Sequence, residues 1–312
     1  MIACWVHSLD PFAIQFGNGF GIRWYGIAYL AAFAAAYFVY LYLAKRGFSV
    51  IPAAKVGDFI TGCAVFGVLI GGRLGYMLFY DFEGFARDPF VFFRVWEGGM
   101  SAHGGILGVV LYTLWYAWRH NVNWPGLGDN LVVGSALGLF FGRLANFING
   151  ELYGRAASVP WAVKFPQEVY ELPPEAQRSV LEKAQGVLGQ PAGLEQVIAA
   201  APHSAELRAA IADDLTPRHP SQLYEGLLEG LLVFVVLWFL RTRVRTASGV
   251  ITGAFFIGYA VLRSIGEMFR YPDAGYVAVL TKGQFLSVFL LLIGVGFLVA
   301  AKLRPTYPPA ER

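Results

Sequence analysis

The sequence predicts an all-α, polytopic membrane protein of about seven transmembrane helices with a cap on its exterior side. Three observations predict it. Of the 312 residues, 56% are hydrophobic and only 14% charged, against roughly 25% charged in a soluble domain. The mean hydropathy is +0.52. Apolar stretches near the length that crosses a bilayer recur at 21–43, 57–80, 103–119, 130–149, 223–240, 249–268 and 283–302. The net charge of +3 is too small to point to nucleic acid. Cys4 and Cys63 are the only cysteines, which argues against a disulfide framework, and no Cys/His spacing suggests zinc. The N-terminal run MIACWVHSLDPFAIQFG has neither a basic leader nor a clean apolar core, so it does not read as a cleaved signal peptide.

Basic residues in the short loops set the orientation. Lys45, Arg46 and Lys55 follow the first stretch, Arg119 and His120 the third, Arg241, Arg243 and Arg245 the fifth, and Lys302 and Arg304 the seventh. On the other side, Arg87 and Arg94 are balanced by Asp81, Glu83, Asp88 and Glu97, with Arg270 and Lys282 besides. This pattern puts the N-terminus outside and the C-terminus in the cytoplasm. The long connection 150–222 is then exterior, part of a single membrane-embedded domain spanning 1–312. Within it, Glu168–Leu215 changes character. PPEAQRSVLEKAQGVLG and SAELRAAIADDL combine Ala, Leu and Glu at helical spacing, with Pro at the start of the first. They predict two or three short amphipathic helices; a flexible insertion with no chemical role is the alternative. Gly67, Gly71 and Gly75, then Gly104 and Gly108, then Gly134, Gly138 and Gly142 recur at every fourth position. That spacing lets transmembrane helices approach closely.

The segment Gly142–Arg155, GRLANFINGELYGR, ends the fourth apolar stretch and carries Arg143, Asn146, Asn149, Glu151 and Arg155. A charge at bilayer depth costs at least ~2.5–3.5 kcal/mol, so it is normally functional. At about 100° per residue, Arg143 and Asn146 fall within about 60° of one another on a helix face. Snorkelling to the interface accounts for any one of these residues but poorly for the set. Five more places bring polar groups to the membrane or its outer rim: Arg23–Trp24–Tyr25; His103 among glycines; Arg218–Glu225, reading RHPSQLYE; Tyr259, Arg263 and Glu267 on one face at i, i+4 and i+8; and Arg73 alone. Arg218–Glu225 also suits a helix start, and Arg73 fits snorkelling as well as function. Arg143 and Arg263 together suit one phosphodiester head group, because the guanidinium fork matches phosphate. No aspartates for a metal cluster lie at that depth, which favours holding a phosphate over cleaving it with metals. A transporter would share intramembrane charges and glycine-broken helices, but no related halves are visible and the polar groups gather toward one side.

These motifs resemble the prolipoprotein diacylglyceryl transferases of bacteria. GRLANFINGELYGR is similar to that family's signature. RWYG at Arg23–Gly26, HGG at His103–Gly105, RHPSQLYE and the Tyr259–Arg263–Glu267 stripe resemble its other motifs in the same order. The resemblance covers about residues 20–300; Glu168–Leu215 looks longer than is usual there and matches no motif. It implies transfer of the sn-1,2-diacylglyceryl group from phosphatidylglycerol to the lipobox cysteine of a preprolipoprotein, with no metal or diffusible cofactor. It also implies the bacterial inner membrane, with a site toward the outer leaflet. On this reading Arg143 and Arg263 bind the phosphate, and Asn146 and Glu151 orient the head group or fix Arg143. Gly154 holds the turn that follows, and Tyr25 and Tyr259 hydrogen-bond glycerol or phosphate. His103 is the candidate general base, and Glu267 orients Arg263. Asn149, Arg155, Gln222 and Glu225 form a second tier.

Overall fold

A computed structural model of the protein describes residues 4–17, 20–94, 98–271, 276–277 and 280–307; Glu97 falls outside them. In chain order the elements are β1 (Trp5–Val6), β2 (Phe12–Gly17), β3 (Phe20–Arg23), α1 (Trp24–Lys45), α2 (Ala53–Phe79), α3 (Ala102–His120), α4 (Trp124–Asn149) and β4 (Val163–Lys164). There follow α5 (Pro174–Leu188), α6 (Leu194–Ala200), α7 (Ala205–Ile211), β5 (Pro217–Arg218), α8 (Ser221–Arg243), α9 (Val250–Gly266) and α10 (Lys282–Leu303). The fold is helical. Among the described residues, α1, α2, α4, α8 and α10 are long and apolar enough to cross a membrane, and α9 is a shorter apolar helix. The 19-residue α3 begins at Ala102-His103 and ends at Arg119-His120, polar ends that shorten its apolar stretch. α2 widens into a π-helical stretch at Cys63–Ile70 and α8 into another at Gly226–Leu232. Such widened turns frequently occur at functional sites.

The chain divides into two compact units. One comprises Met1–Ala32, Ala136–Val233 and Gly258–Leu291; the other comprises Phe33–Ser135, Phe234–Ile257 and Leu292–Arg312. In the second unit, α2 and α3 meet backbone to backbone. A Cβ on Gly75 would stand 2.5 Å from Gly104 Cα, and one on Gly71 would stand 2.7 Å from the Gly104 carbonyl oxygen. Small residues are therefore obligatory along this seam. The aromatic core beside it holds Tyr40, Phe59, Tyr116 and Leu127. Arg241 is buried there, donating from Nε to Asn130 Oδ1 at 2.8 Å and from Nη2 to the Phe48 carbonyl. Arg73 is buried in the second unit. Its guanidinium donates to the carbonyls of Val91, Phe92, Arg94, Gly98 and Gly99, gathering the loop that leads into α3.

In the first unit, β1 runs parallel to β4, which is antiparallel to β5. These short strands lie outside the helical expectation because long-range pairing, rather than local alternation, creates them. β2 and β3 form a separate hairpin. Pro174 at the first turn and Gly189 at φ 71° delimit α5, and Ser204 caps α7 by accepting from the Leu207 N–H at 3.1 Å. α5, α6 and α7 close on Val169, Val180, Val197, Leu207 and Ile211. The Gly134–Gly138–Gly142 run is not one packing seam: a Cβ on Gly142 would meet nothing within 4 Å, so that glycine faces open space.

Candidate active site

The first unit assembles the site from the end of α4, the start of α8 and the end of α9. Arg143 of α4 lies 3.0 Å from Glu225 Oε2 through Nε and 3.3 Å from Glu229 Oε2 through Nη2. Arg263 of α9 reaches the same two carboxylates, 2.8 Å from Glu225 Oε1 and 3.2 Å from Glu229 Oε1. It also lies 2.8 Å from Glu267 one turn later. Arg270 reaches Glu225 Oε2 at 3.3 Å. Three guanidinium groups thus face three carboxylates, so no member of the cluster is left as a lone buried charge. Glu225 and Glu229 are wholly buried, whereas Arg143 and Arg263 keep 16% and 14% of their side-chain surface exposed. Arg143 and Arg263 are the most exposed members of the cluster. The π-helical stretch of α8 begins directly after Glu225 and contains Glu229. Its wider turn accompanies the presentation of both carboxylates to the same pair of arginines.

A second hydrogen-bonded branch, through Asn146, Tyr25 and Glu151, belongs to the same unit. Asn146 Nδ2 donates to Tyr25 Oη at 2.9 Å and to Glu151 Oε1 at 2.7 Å. Gln222 Nε2 donates to the Glu151 carbonyl at 2.7 Å. Helix α4 ends because Gly150 takes φ 70°, and Leu152 takes φ 57° just beyond. Those two residues make the turn; Gly154 has a different constraint. A Cβ there would stand 2.6 Å from the carbonyl oxygens of both His219 and Phe269. Asn149 accepts from Gln167 Nε2 through its main-chain oxygen at 3.3 Å. Arg155 donates from Nε to the Arg270 carbonyl at 3.0 Å and so acts as a strap.

The surrounding polar groups outside the spans are held by burial and long-range contacts. Arg218 donates to Glu168 Oε1 at 2.8 Å and lies over the rings of Tyr153 and Tyr271. His7 bonds through Nε2 to the Phe147 carbonyl at 2.8 Å; burial holds its pKa down at about 4, opposed by that hydrogen bond. Burial likewise lowers His219. His103 belongs to the second unit, exposed in the first turn of α3, where Ser101 Oγ accepts from the Gly104 N–H at 3.2 Å as the cap. The structure therefore unites Tyr25, Arg143, Asn146, Glu151, Glu225, Tyr259, Arg263 and Glu267 within one unit, with His103 in the other. Sequence reasoning missed Glu229 and took Arg270 for a loop charge. The signal for Glu229 was present: a carboxylate inside the apolar run LLEGLLVF, one turn from Glu225.

Fold and site define a polytopic membrane protein whose intramembrane charges form a paired, partly accessible cluster of the kind that marks a substrate site. The chain belongs to the prolipoprotein diacylglyceryl transferase family, whose model matches residues 11–300. The phosphatidylglycerol–prolipoprotein diacylglyceryl transferase of Bdellovibrio bacteriovorus is 40% identical over 329 residues, covering 94% of this chain and 93% of that relative. Its namesake in Rhodospirillum centenum is 40% identical, covering 97% of this chain and 95% of the relative. That of Azospirillum brasilense is 39% identical, covering 98% and 99% respectively.

Proposed function

We infer that this chain transfers the sn-1,2-diacylglyceryl group of phosphatidylglycerol to the lipobox cysteine of preprolipoproteins, the first step of lipoprotein maturation. The observation that carries this reading is the convergence of Arg143 and Arg263 on one carboxylate pair, in a chain matched by the family over 11–300. The thiolate sulfur attacks the glycerol carbon esterified to phosphate. A C–S bond forms, the C–O bond breaks, and glycerol 1-phosphate departs with the electron pair. Arg143 and Arg263 bind the phosphodiester by exchanging part of their contact with Glu225 and Glu229 for phosphate oxygens. They hold the leaving phosphate more tightly as its charge grows, which lowers the barrier.

Glu267 keeps Arg263 in place. Tyr25, Asn146 and Glu151 border the head-group glycerol, with Tyr259 beside the arginines, while Gly154 and Glu225 fix the scaffold. A cysteine thiol has a pKa of about 8.5, so a proton acceptor is required near neutrality, and by side-chain chemistry the imidazole of His103 is the candidate for that role. The protein lies in the bacterial inner membrane, N-terminus outside and C-terminus cytoplasmic, as one domain with the 150–222 cap and the site toward the outer leaflet. Basic residues concentrated on the opposite side support that orientation.

The test supplies membranes containing the protein with labelled phosphatidylglycerol and a lipobox peptide, and looks for a thioether-linked diacylglyceryl peptide by mass. Arg143→Ala is expected to abolish the product at unchanged protein level. Full activity of that variant overturns the phosphate role. Solute uptake into vesicles without lipid chemistry overturns the reaction itself.

A further inference from the structure

We propose that a cavity of about 260 Å³ in the first unit receives the short stretch of preprolipoprotein that follows the lipobox cysteine. This rests on diacylglyceryl transfer as the reaction. The cavity is walled by Phe12 and Gln15 of β2, Arg23, Asn149 at the end of α4, and Ile198 and Ala199 of α6. It is slightly smaller than the roughly 300–1,000 Å³ of small-ligand pockets, which fits a few side chains of extended chain rather than a folded partner.

Position supplies the first argument. Arg23 precedes Tyr25 by two residues and Asn149 follows Asn146 by three, and Tyr25 and Asn146 are hydrogen-bonded at 2.9 Å. Three helical residues rise about 4.5 Å, and one extended residue spans about 3.3 Å. Two residues of the cavity wall thus lie two and three positions along the chain from the Tyr25–Asn146 pair of the site. A cysteine reacting there carries its next residues to this place.

Chemistry supplies the second. The wall mixes apolar Phe12 and Ile198 with the amides of Gln15, Asn149 and Gln167, a lining that suits peptide groups. His203 and Asp10 pair at 3.2 Å beside it, and Glu195 adds a further carboxylate. Arg23 already stacks 4.7 Å from the Phe12 ring. Two carboxylates with one committed arginine disfavour a phospholipid head group. The wall contributed by α6 gives the otherwise unassigned insertion a task.

The experiment measures transfer to two lipobox peptides, one ending at the cysteine amide and one continuing for about four residues, some 13 Å of extended chain. The protein as it stands is expected to show a KM about tenfold lower for the longer peptide, the effect of one or two added contacts. Ala199→Trp, at an exposed position, and Ile198→Trp are expected to erase that difference while turnover of the short peptide persists. Equal KM values for both peptides, or a difference that survives both variants, overturn the cavity assignment. So does loss of both peptides alike in both variants. Absence of thioether product from either peptide with the unaltered protein overturns the reaction on which the proposal rests.

Discussion

Glu225 accepts a hydrogen bond from Arg263 Nη1 at 2.8 Å with its carboxylate wholly buried. The same carboxylate contacts Arg143 and Arg270, whereas Glu229 contacts only Arg143 and Arg263 within the cluster. The two glutamates therefore differ in consequence. Glu225→Gln removes the one carboxylate in the cluster that contacts all three arginines, and breaking a buried pair costs about 3–5 kcal/mol. Thermal unfolding in detergent should show a clear drop in midpoint together with lost transfer. Glu229→Gln leaves Glu225 and Glu267 in place and makes the cluster of Arg143, Arg263 and Arg270 with these carboxylates more positive by one charge. The KM for phosphatidylglycerol should fall about fivefold, near 1 kcal/mol, in a protein that remains folded. A raised KM in that variant rules out exchange between carboxylate and phosphate.

Arg143 engages two separate carboxylates through Nε and Nη2. Lysine offers one point charge and no fork. Arg143→Lys should lower kcat/KM by about 100-fold, or 2.7 kcal/mol, at normal protein level. Wild-type kcat/KM in this variant shows that charge alone suffices.

Gly142 and Gly154 flank the motif and answer to opposite constraints. A Cβ at Gly142 meets nothing, while one at Gly154 strikes two backbone carbonyls. Gly154→Ala should destabilise by about 1–3 kcal/mol, read as a lower unfolding temperature. Gly142→Leu should leave the unfolding temperature intact yet reduce transfer, as expected if the open space at Gly142, next in sequence to Arg143, is occupied by substrate on the proposed reading. Unimpaired transfer in Gly142→Leu places the substrate elsewhere.

His7 is neutral and buried, with a pKa near 4 against 6.5 unfolded. Between these values the unfolded chain binds more protons, so stability present above pH 6.5 is lost as the pH falls toward 4, by at most about 3 kcal/mol. Hydrogen exchange over 150–220 should accelerate across that window in the wild type. In His7→Phe, which keeps an aromatic ring beside Phe147 and Phe165 but cannot titrate, this acceleration should shrink. An unchanged profile assigns the pH dependence to other groups.

What the sequence determined by itself was the helical membrane architecture, the helical character of 174–211, and which polar residues stand out within the apolar runs. Apolar run length and helical spacing are local properties, and a charge in an apolar run is conspicuous wherever it folds. Arg143, Arg263 and Glu267 were legible for that reason. Tertiary structure decided which charges meet: Arg143 finds Glu229 across 86 positions, and Arg263 finds Glu225 across 38. It turned Arg73 into a clasp on loop carbonyls, and it separated the packing glycines on α2 and α3 from Gly142, which faces open space. It also built a cavity from β2, α4 and α6, three segments with no common sequence pattern. Ion-pair partners, close backbone approaches and cavities are relations between distant segments, and local periodicity carries no information about distance in space.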